Sequence, residues 1–247
     1  MADLPVGSVT FLFTDIEGST RLWELYPQAM PGVLARHDAI LRQAIAAHGG
    51  RIFRTGGDGF CAAFAHPPDA LAGALAAQVA LLAEPWAASG LPTGAHLRVR
   101  MALHTGTAEV RDGDYLGPAL NRVARLLAAG HGGQILLSST TAGLVHGALP
   151  PGAALHELGE YRLRDLTRPE RIFQLVAPGL LADFPPLRMH DPQHVEPVAR
   201  PSDFALRQAK LPGMPGIDYE RVLEKERERE RQRRARKKNT PESGGMF

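Results

Sequence analysis

An apolar run from Val9 to Phe13 predicts a buried strand that ends at Asp15. Gly18-Ser19-Thr20 follows and opens an amphipathic segment carrying Leu22, Trp23 and Leu25. Met30, Val33, Leu34, Ile40, Leu41, Ala44 and Ile45 then recur near helical spacing. Pro27 and Pro31 stand at the start of that helix, where proline is tolerated, and His48-Gly49-Gly50 stops it. Two strand-like runs between Arg51 and Phe64 flank Thr55-Gly56-Gly57-Asp58-Gly59, a hairpin pattern with Asp58 at its tip. An alanine-rich helix follows His66 and runs to about Ala83, and a Pro/Gly loop covers residues 84–96. Leu97 to Leu103 predicts a strand leading into His104-Thr105-Gly106, and Val110 to Gly117 a polar, turn-rich segment. Pro118 to Ala129 has helical spacing, Gln134 to Ser138 a strand pattern, and Thr140 to His146 a short helical one. Leu155–Leu166 and Arg171–Val176 close the series as paired strands joined around Arg168-Pro169.

The element order, roughly β-α-β-β-α-β-α-β-α-β-β, predicts an α+β sandwich in which helices cover a mixed sheet. After Ala177 proline becomes dense and periodicity is lost. The expected division is a folded domain over residues 7–177, a Pro-rich linker over 178–218, and a charged, basic tail over 219–247, helical or disordered.

Charge sharpens that division. Between Glu220 and Lys238 stand ten Lys/Arg and five Glu, which leaves 18 basic and 21 acidic residues elsewhere. The overall +2 therefore hides a mildly acidic body and a basic tail. The tail could touch nucleic acid or anionic lipid, but the alternation over Glu224–Arg231 fits a solvated helix with i,i+4 pairs better. Cys61 is the single cysteine, which excludes an internal disulfide and a multi-cysteine zinc site. It lies in an apolar run, as expected of an inert buried thiol. No secretory leader pattern and no apolar stretch long enough to span a membrane occurs, so a cytoplasmic location is expected.

Three places carry candidate chemistry. Asp15 ends a strand beside a glycine turn, and Asp58 sits at the tip of a glycine-rich hairpin. If the hairpin packs beside the first strand, two carboxylates meet at adjacent strand ends, a donor set that suits two divalent cations. The backbone amides opening the helix after Gly18 suit phosphate. In Asp114-Tyr-Leu-Gly-Pro-Ala-Leu-Asn121-Arg-Val-Ala-Arg125, Asn121 and Arg125 are four apart and share one helix face. An amide and a guanidinium there can orient a ribose and neutralise a phosphoryl transition state. Taken singly, each has a bland alternative: a helix cap, a plain hairpin turn and a solvated helix face.

Together, in this order, the three resemble the motifs of the class III nucleotidyl cyclases, the adenylate/guanylate cyclase catalytic domain of bacterial type. Phe13-Thr14-Asp15-Ile16-Glu17-Gly18-Ser19-Thr20 looks like the first metal motif, Gly57-Asp58 like the second, and Asp114 to Arg125 like the substrate and transition-state segment. The resemblance covers about Gly7 to Val176 and implies a ferredoxin-like βαββαβ-type sandwich. It implies that Asp15 and Asp58, with the Ile16 carbonyl, bind two Mg²⁺ or Mn²⁺, and that backbone amides of Glu17, Gly18, Ser19 and Thr20 hold terminal phosphates. Asn121 would position the ribose and Arg125 would stabilise charge on the α-phosphate, turning ATP into 3′,5′-cyclic AMP and pyrophosphate. It further implies a head-to-tail homodimer, with metal residues from one chain and Asn121 and Arg125 from the other.

The resemblance departs from its pattern at the base pocket. Adenylate cyclases of the family carry lysine four residues before the second metal aspartate and aspartate seven before the asparagine; here these are Arg54 and Asp114. Asp114 can accept from the adenine 6-amino group, where guanine presents a carbonyl. Arg54 keeps a donor for adenine, but as a planar fork that could instead pair with Asp114 and occlude the base. The alternative function is a cyclase-homology module that senses nucleotide or dimerises without turnover. Gly56–Gly59 is also similar to the diguanylate cyclase motif, but that family has glutamate where this chain has Gly59. His104, Trp23 and Trp86 are expected to serve packing.

Overall fold

The structure, a computed structural model, describes residues 4–188. The later part of the expected linker and the whole basic tail lie outside the described residues. Among the described residues no helix is long and apolar enough to cross a membrane.

A seven-stranded sheet forms the centre. It comprises β1 (Ser8–Ile16), β2 (Arg51–Gly56), β3 (Gly59–Phe64), β4 (Val99–Thr107), β7 (Ile135–Ser138), β8 (Ala154–Tyr161) and β9 (Glu170–Val176), in the order β2-β3-β1-β4-β7-β9-β8. The β4–β7 pairing is parallel and the others antiparallel, so the sheet is mixed as expected. The helices are α1 (Ser19–Leu25), α2 (Met30–Ala47), α3 (Pro67–Ala83), α4 (Pro118–Ala129) and α5 (Ser139–Val145).

Period-two alternation in β1 and β4 sorts side chains between two cores. Leu12 and Ile16, with Val99, Met101 and Leu103, join the apolar faces of α2 and α3. Val9, Phe11, Phe13 and Ala102 face the other way, against Val123, Leu126 and Leu127 of α4. Asp15 and Arg100 have the parity of this second set, which places them on the α4 face of the sheet. α4 is a single amphipathic helix laid on that face, and its buried leucines each contribute on the order of 2 kcal/mol.

The amphipathic opening after Gly18 and the main helix are separate, α1 and α2, with Pro27 between them and Pro31 in the first turn of α2, as the sequence reading has it. Two details differ from that reading. Trp86 is buried and donates its indole N–H to the Leu81 carbonyl at 3.1 Å, whereas Trp23 is 40 % exposed on α1. The turn-rich segment holds a small hairpin of β5 (Glu109–Arg111) and β6 (Asp114–Leu116). Its two-residue turn, Asp112-Gly113, has φ of 52° and 77°, the Asp-Gly signature of a tight hairpin. His104 has the expected packing role: it is buried, its Nδ1 lies 2.8 Å from the Ser138 hydroxyl, and burial pushes its pKa down to about 4.

Candidate active site

β1 lies between β3 and β4, and its C-terminal end gathers the acidic residues. Thr14 pairs with Phe60 of β3, which brings the β2–β3 turn beside Asp15. The Asp58 Oδ2 accepts a hydrogen bond from the Ile16 backbone N–H at 3.0 Å. The hairpin thus delivers the second carboxylate to the end of the first strand, as the motif spacing predicts. The turn depends on glycine at two points. Gly57 has φ of 60°, and a Cβ on Gly59 would stand 3.3 Å from the Thr14 carbonyl oxygen.

On its other side, Asp15 stands directly opposite Arg100 of β4 in the antiparallel register. Arg100 donates from Nε and Nη2 to the two carboxylate oxygens at 2.7 and 2.6 Å. Burial nevertheless pushes the Asp15 pKa above its ordinary value, and the Asp58 and Glu17 charges push it the same way, against the pull of Arg100. Two carboxylates close enough to repel form a hard oxygen donor set. Among the described residues there is no group of three or more His, Cys, Asp or Glu side chains that could hold a metal. Two carboxylates are compatible in chemistry with Mg²⁺ or Mn²⁺, which take one or two carboxylates and complete their shells with water and phosphate.

Beyond Ile16 the chain turns through Glu17 and Gly18 into α1. The Glu17 N–H donates to the Arg98 carbonyl at 2.8 Å, and Gly18 adopts φ of 69°. The Glu17 carboxylate accepts from the Arg188 guanidinium, and the Arg188 backbone N–H donates to the Ala129 carbonyl at 2.9 Å. The residues after β9 therefore run back to this turn. Phe184 stacks on His131, and Leu187 is buried in the α4 core.

Arg54 and Asp114 also meet. Arg54 donates from Nε, at 3.0 Å, and from Nη2 to the same oxygen, Oδ2, while Oδ1 accepts the Tyr115 N–H at 2.7 Å. A β-bulge makes this possible. The β2–β3 register slips between Ile52 and Arg54, so Arg54 pairs with Cys61 and turns to the same face as Phe53. Phe53 packs edge-on against Tyr115 and Phe11, with centroids 4.9 and 6.0 Å away. These rings support the pair from below. Cys61 lies alongside, half-buried, with burial pushing its thiol up to about 11, which leaves it protonated and inert.

α4 presents Asn121 and Arg125 on its outer face, over a cavity of about 300 Å³ lined by Pro118, Asn121, Arg122, Arg125, Asp165 and Leu166. Arg125 donates to Asp165 at 2.6 Å. Asp165, in the loop between β8 and β9, has φ of 61°, a conformation uncommon outside glycine. Arg122 pairs with the buried Glu170, which also accepts from the Ser139 N–H and hydroxyl, and so anchors α4 to the sheet. Arg100, Asp165 and Arg188 are the site residues that the sequence reading missed. The first depends on strand register, and the other two on loop paths that no local pattern specifies.

A seven-stranded mixed sheet with two carboxylates at one strand end, and helices packed on it, defines an α+β domain. The chain belongs to the adenylate and guanylate cyclase catalytic domain family, which it matches over residues 2–176. An uncharacterized protein of Mycobacterium tuberculosis is 44 % identical over 186 residues, covering 74 % of this chain and 61 % of that protein. The chain thus spans about three fifths of the length of that relative. Among solved structures, an adenylate cyclase of Trypanosoma brucei in its monomeric state superposes with a TM-score of 0.66 at 28 % identity, covering 77 % of this chain and 98 % of the other. An adenylate/guanylate cyclase/hydrolase from Silicibacter pomeroyi gives a TM-score of 0.58 at 30 % identity, covering 70 % and 98 %.

Proposed function

We propose that this domain is a nucleotidyl cyclase, a phosphorus–oxygen lyase that converts ATP into 3′,5′-cyclic AMP and pyrophosphate. The observation that carries the reading is the meeting of Asp15 and Asp58 at one strand end, with Asp58 fixed by the Ile16 N–H. Family membership makes cyclic nucleotide formation the expected reaction class.

In this reading Asp15, Asp58 and the Ile16 carbonyl hold two divalent cations, Mg²⁺ or Mn²⁺. When bound, these activate the 3′-oxygen and offset charge on the phosphates. Backbone amides of Gly18, Ser19 and Thr20 receive the terminal phosphates; the Glu17 N–H, included in the sequence expectation, is already donated to the Arg98 carbonyl. Asn121 orients the ribose, and Arg125, one helical turn on, faces the α-phosphate as the 3′-oxygen attacks and pyrophosphate departs. Arg125 must first release Asp165. Asp114 accepts from the adenine 6-amino group, with Arg54 as the adjacent donor. Each half-site is closed on its own chain, Asp15 with Arg100 and Arg125 with Asp165. Family membership is what supports a head-to-tail homodimer, in which one chain's metal residues would face the partner's α4 and both intrachain pairs would open.

Product analysis of the purified protein with Mn²⁺ and either ATP or GTP tests this, with Asp58→Ala as the blank. Cyclic AMP above the blank is expected. Mainly cyclic GMP would overturn the base assignment. Nucleotide binding without product would favour the second reading, a cyclase-homology module, for which the closed Arg54–Asp114 pair is the supporting observation.

A further inference from the structure

The Asp15–Arg100 pair is formed where a cation is expected to sit. Both carboxylate oxygens are taken by one planar guanidinium, at 2.7 and 2.6 Å. The side chains are only 27 % and 19 % exposed, so water screens the pair poorly. Their backbones are directly opposed in a register that runs unbroken from Ser8↔Thr107 to Ile16↔Val99. Neither Cα can move without breaking the sheet, so the pair can open only by side-chain rotation. Asp58 is held differently: a neutral backbone N–H fixes one oxygen, and no guanidinium pairs with it among the described residues. The two carboxylates are therefore held unequally, Asp15 by a guanidinium and Asp58 by a backbone N–H.

We propose that Arg100 is an internal counterion for the metal site: it occupies Asp15 in the metal-free protein, is displaced when a divalent cation binds, and thereby lowers cation affinity. The inference rests on reading Asp15 as a metal ligand. A guanidinium and a divalent cation on one half-buried carboxylate repel each other strongly, so they exchange and are not shared. Arg100 is thus a positioning residue. It keeps the Asp15 carboxylate ionised, oriented and on the α4 face until the cation arrives.

The test measures Mn²⁺ binding to the full chain without nucleotide, from the paramagnetic resonance signal of free Mn²⁺. Wild type is compared with Arg100→Gln, Arg100→Lys, Asp15→Asn and Arg100→Gln/Asp15→Asn. Arg100→Gln is expected to bind Mn²⁺ about tenfold more tightly than wild type, with Arg100→Lys between them because it keeps the charge and loses the fork. In the double variant the gain should vanish. Thermal melting supplies a second readout: Arg100→Gln should melt lower than wild type without metal and gain more from Mn²⁺. Unchanged or weaker Mn²⁺ binding in Arg100→Gln, a gain that survives Asp15→Asn, or no binding by any of the proteins would overturn the exchange. No turnover is read. Arg100-dependent Mn²⁺ binding without cyclic nucleotide formation would sink the cyclase reading alone, and turnover with Arg100-independent binding would sink only this inference.

Discussion

Two of the guanidinium–carboxylate pairs at the candidate site, Asp15–Arg100 and Arg54–Asp114, are built in opposite ways. Asp15–Arg100 joins two central strands in continuous register, engages both carboxylate oxygens and is mostly shielded. Arg54–Asp114 joins an edge strand, through a bulge, to a three-residue strand of a separate hairpin, and its side chains are 48 % and 35 % exposed. The first has a fixed backbone and can change only by exchanging its partner. The second can open when its hairpin shifts or its arginine swings into water. The contrast suits the proposed roles, since a metal ligand must stay in place and a base reader must make room for a ring.

The largest effects should come from breaking the first region together with the facing helix. Asp15→Ala and Arg125→Ala should each lower cyclase activity by a factor on the order of 10³. Mixing the two chains should recover up to about a quarter of wild-type activity if each site draws on both subunits. Mixed chains that stay as inactive as either alone would count against the shared-site geometry.

A smaller change is expected at the base pocket. Asp114→Asn should lower the ATP-over-GTP preference in kcat/KM by about ten- to a hundredfold, since the amide can donate to a guanine carbonyl. An unaltered ratio would remove Asp114 from base reading. Arg54→Lys should raise kcat/KM for ATP by about fivefold, because an ammonium cannot fork onto Asp114 as the guanidinium does. A fall would show that the wider donor is the one this pocket uses.

The mildest difference is in stability. Arg54→Ala should cost less than about 1 kcal/mol in denaturant unfolding and be nearly salt-independent above physiological ionic strength. Arg100→Ala should cost more, about 2–3 kcal/mol, because it strands a partly buried carboxylate. Equal costs would erase the distinction between the pairs.

The strand and helix pattern was largely legible because each element repeats its period several times. β1 states its α4-side face in three apolar positions and α4 its buried face in six. Asp15 and Asp58 were legible as partners because a short hairpin allows few places for its tip to go. Arg100 was not, since its meeting with Asp15 exists only through the pairing of strands separated by more than eighty residues. Arg54 could be numbered but not oriented: strict alternation would turn it from the α4 face, and the bulge turns it back. The β5–β6 hairpin did carry a local signal, Asp112-Gly113, but its strands are too short to show alternation. Trp23 misled because an aromatic in an amphipathic segment ordinarily packs, and α1 buries none of its residues.

The return of the chain after β9 redraws the boundary of the domain. The family match ends at Val176, yet Phe184, Leu187 and Arg188 lie against the α4–β7 loop and the Glu17 turn. A chain cut at Val176 would uncover part of the core beneath α4. It would also leave the Glu17 carboxylate without its guanidinium, adding a bare negative charge beside the place where nucleotide phosphates are expected. If the proposed function holds, a fragment trimmed to the family limits should bind nucleotide more weakly than one that retains the segment through Arg188.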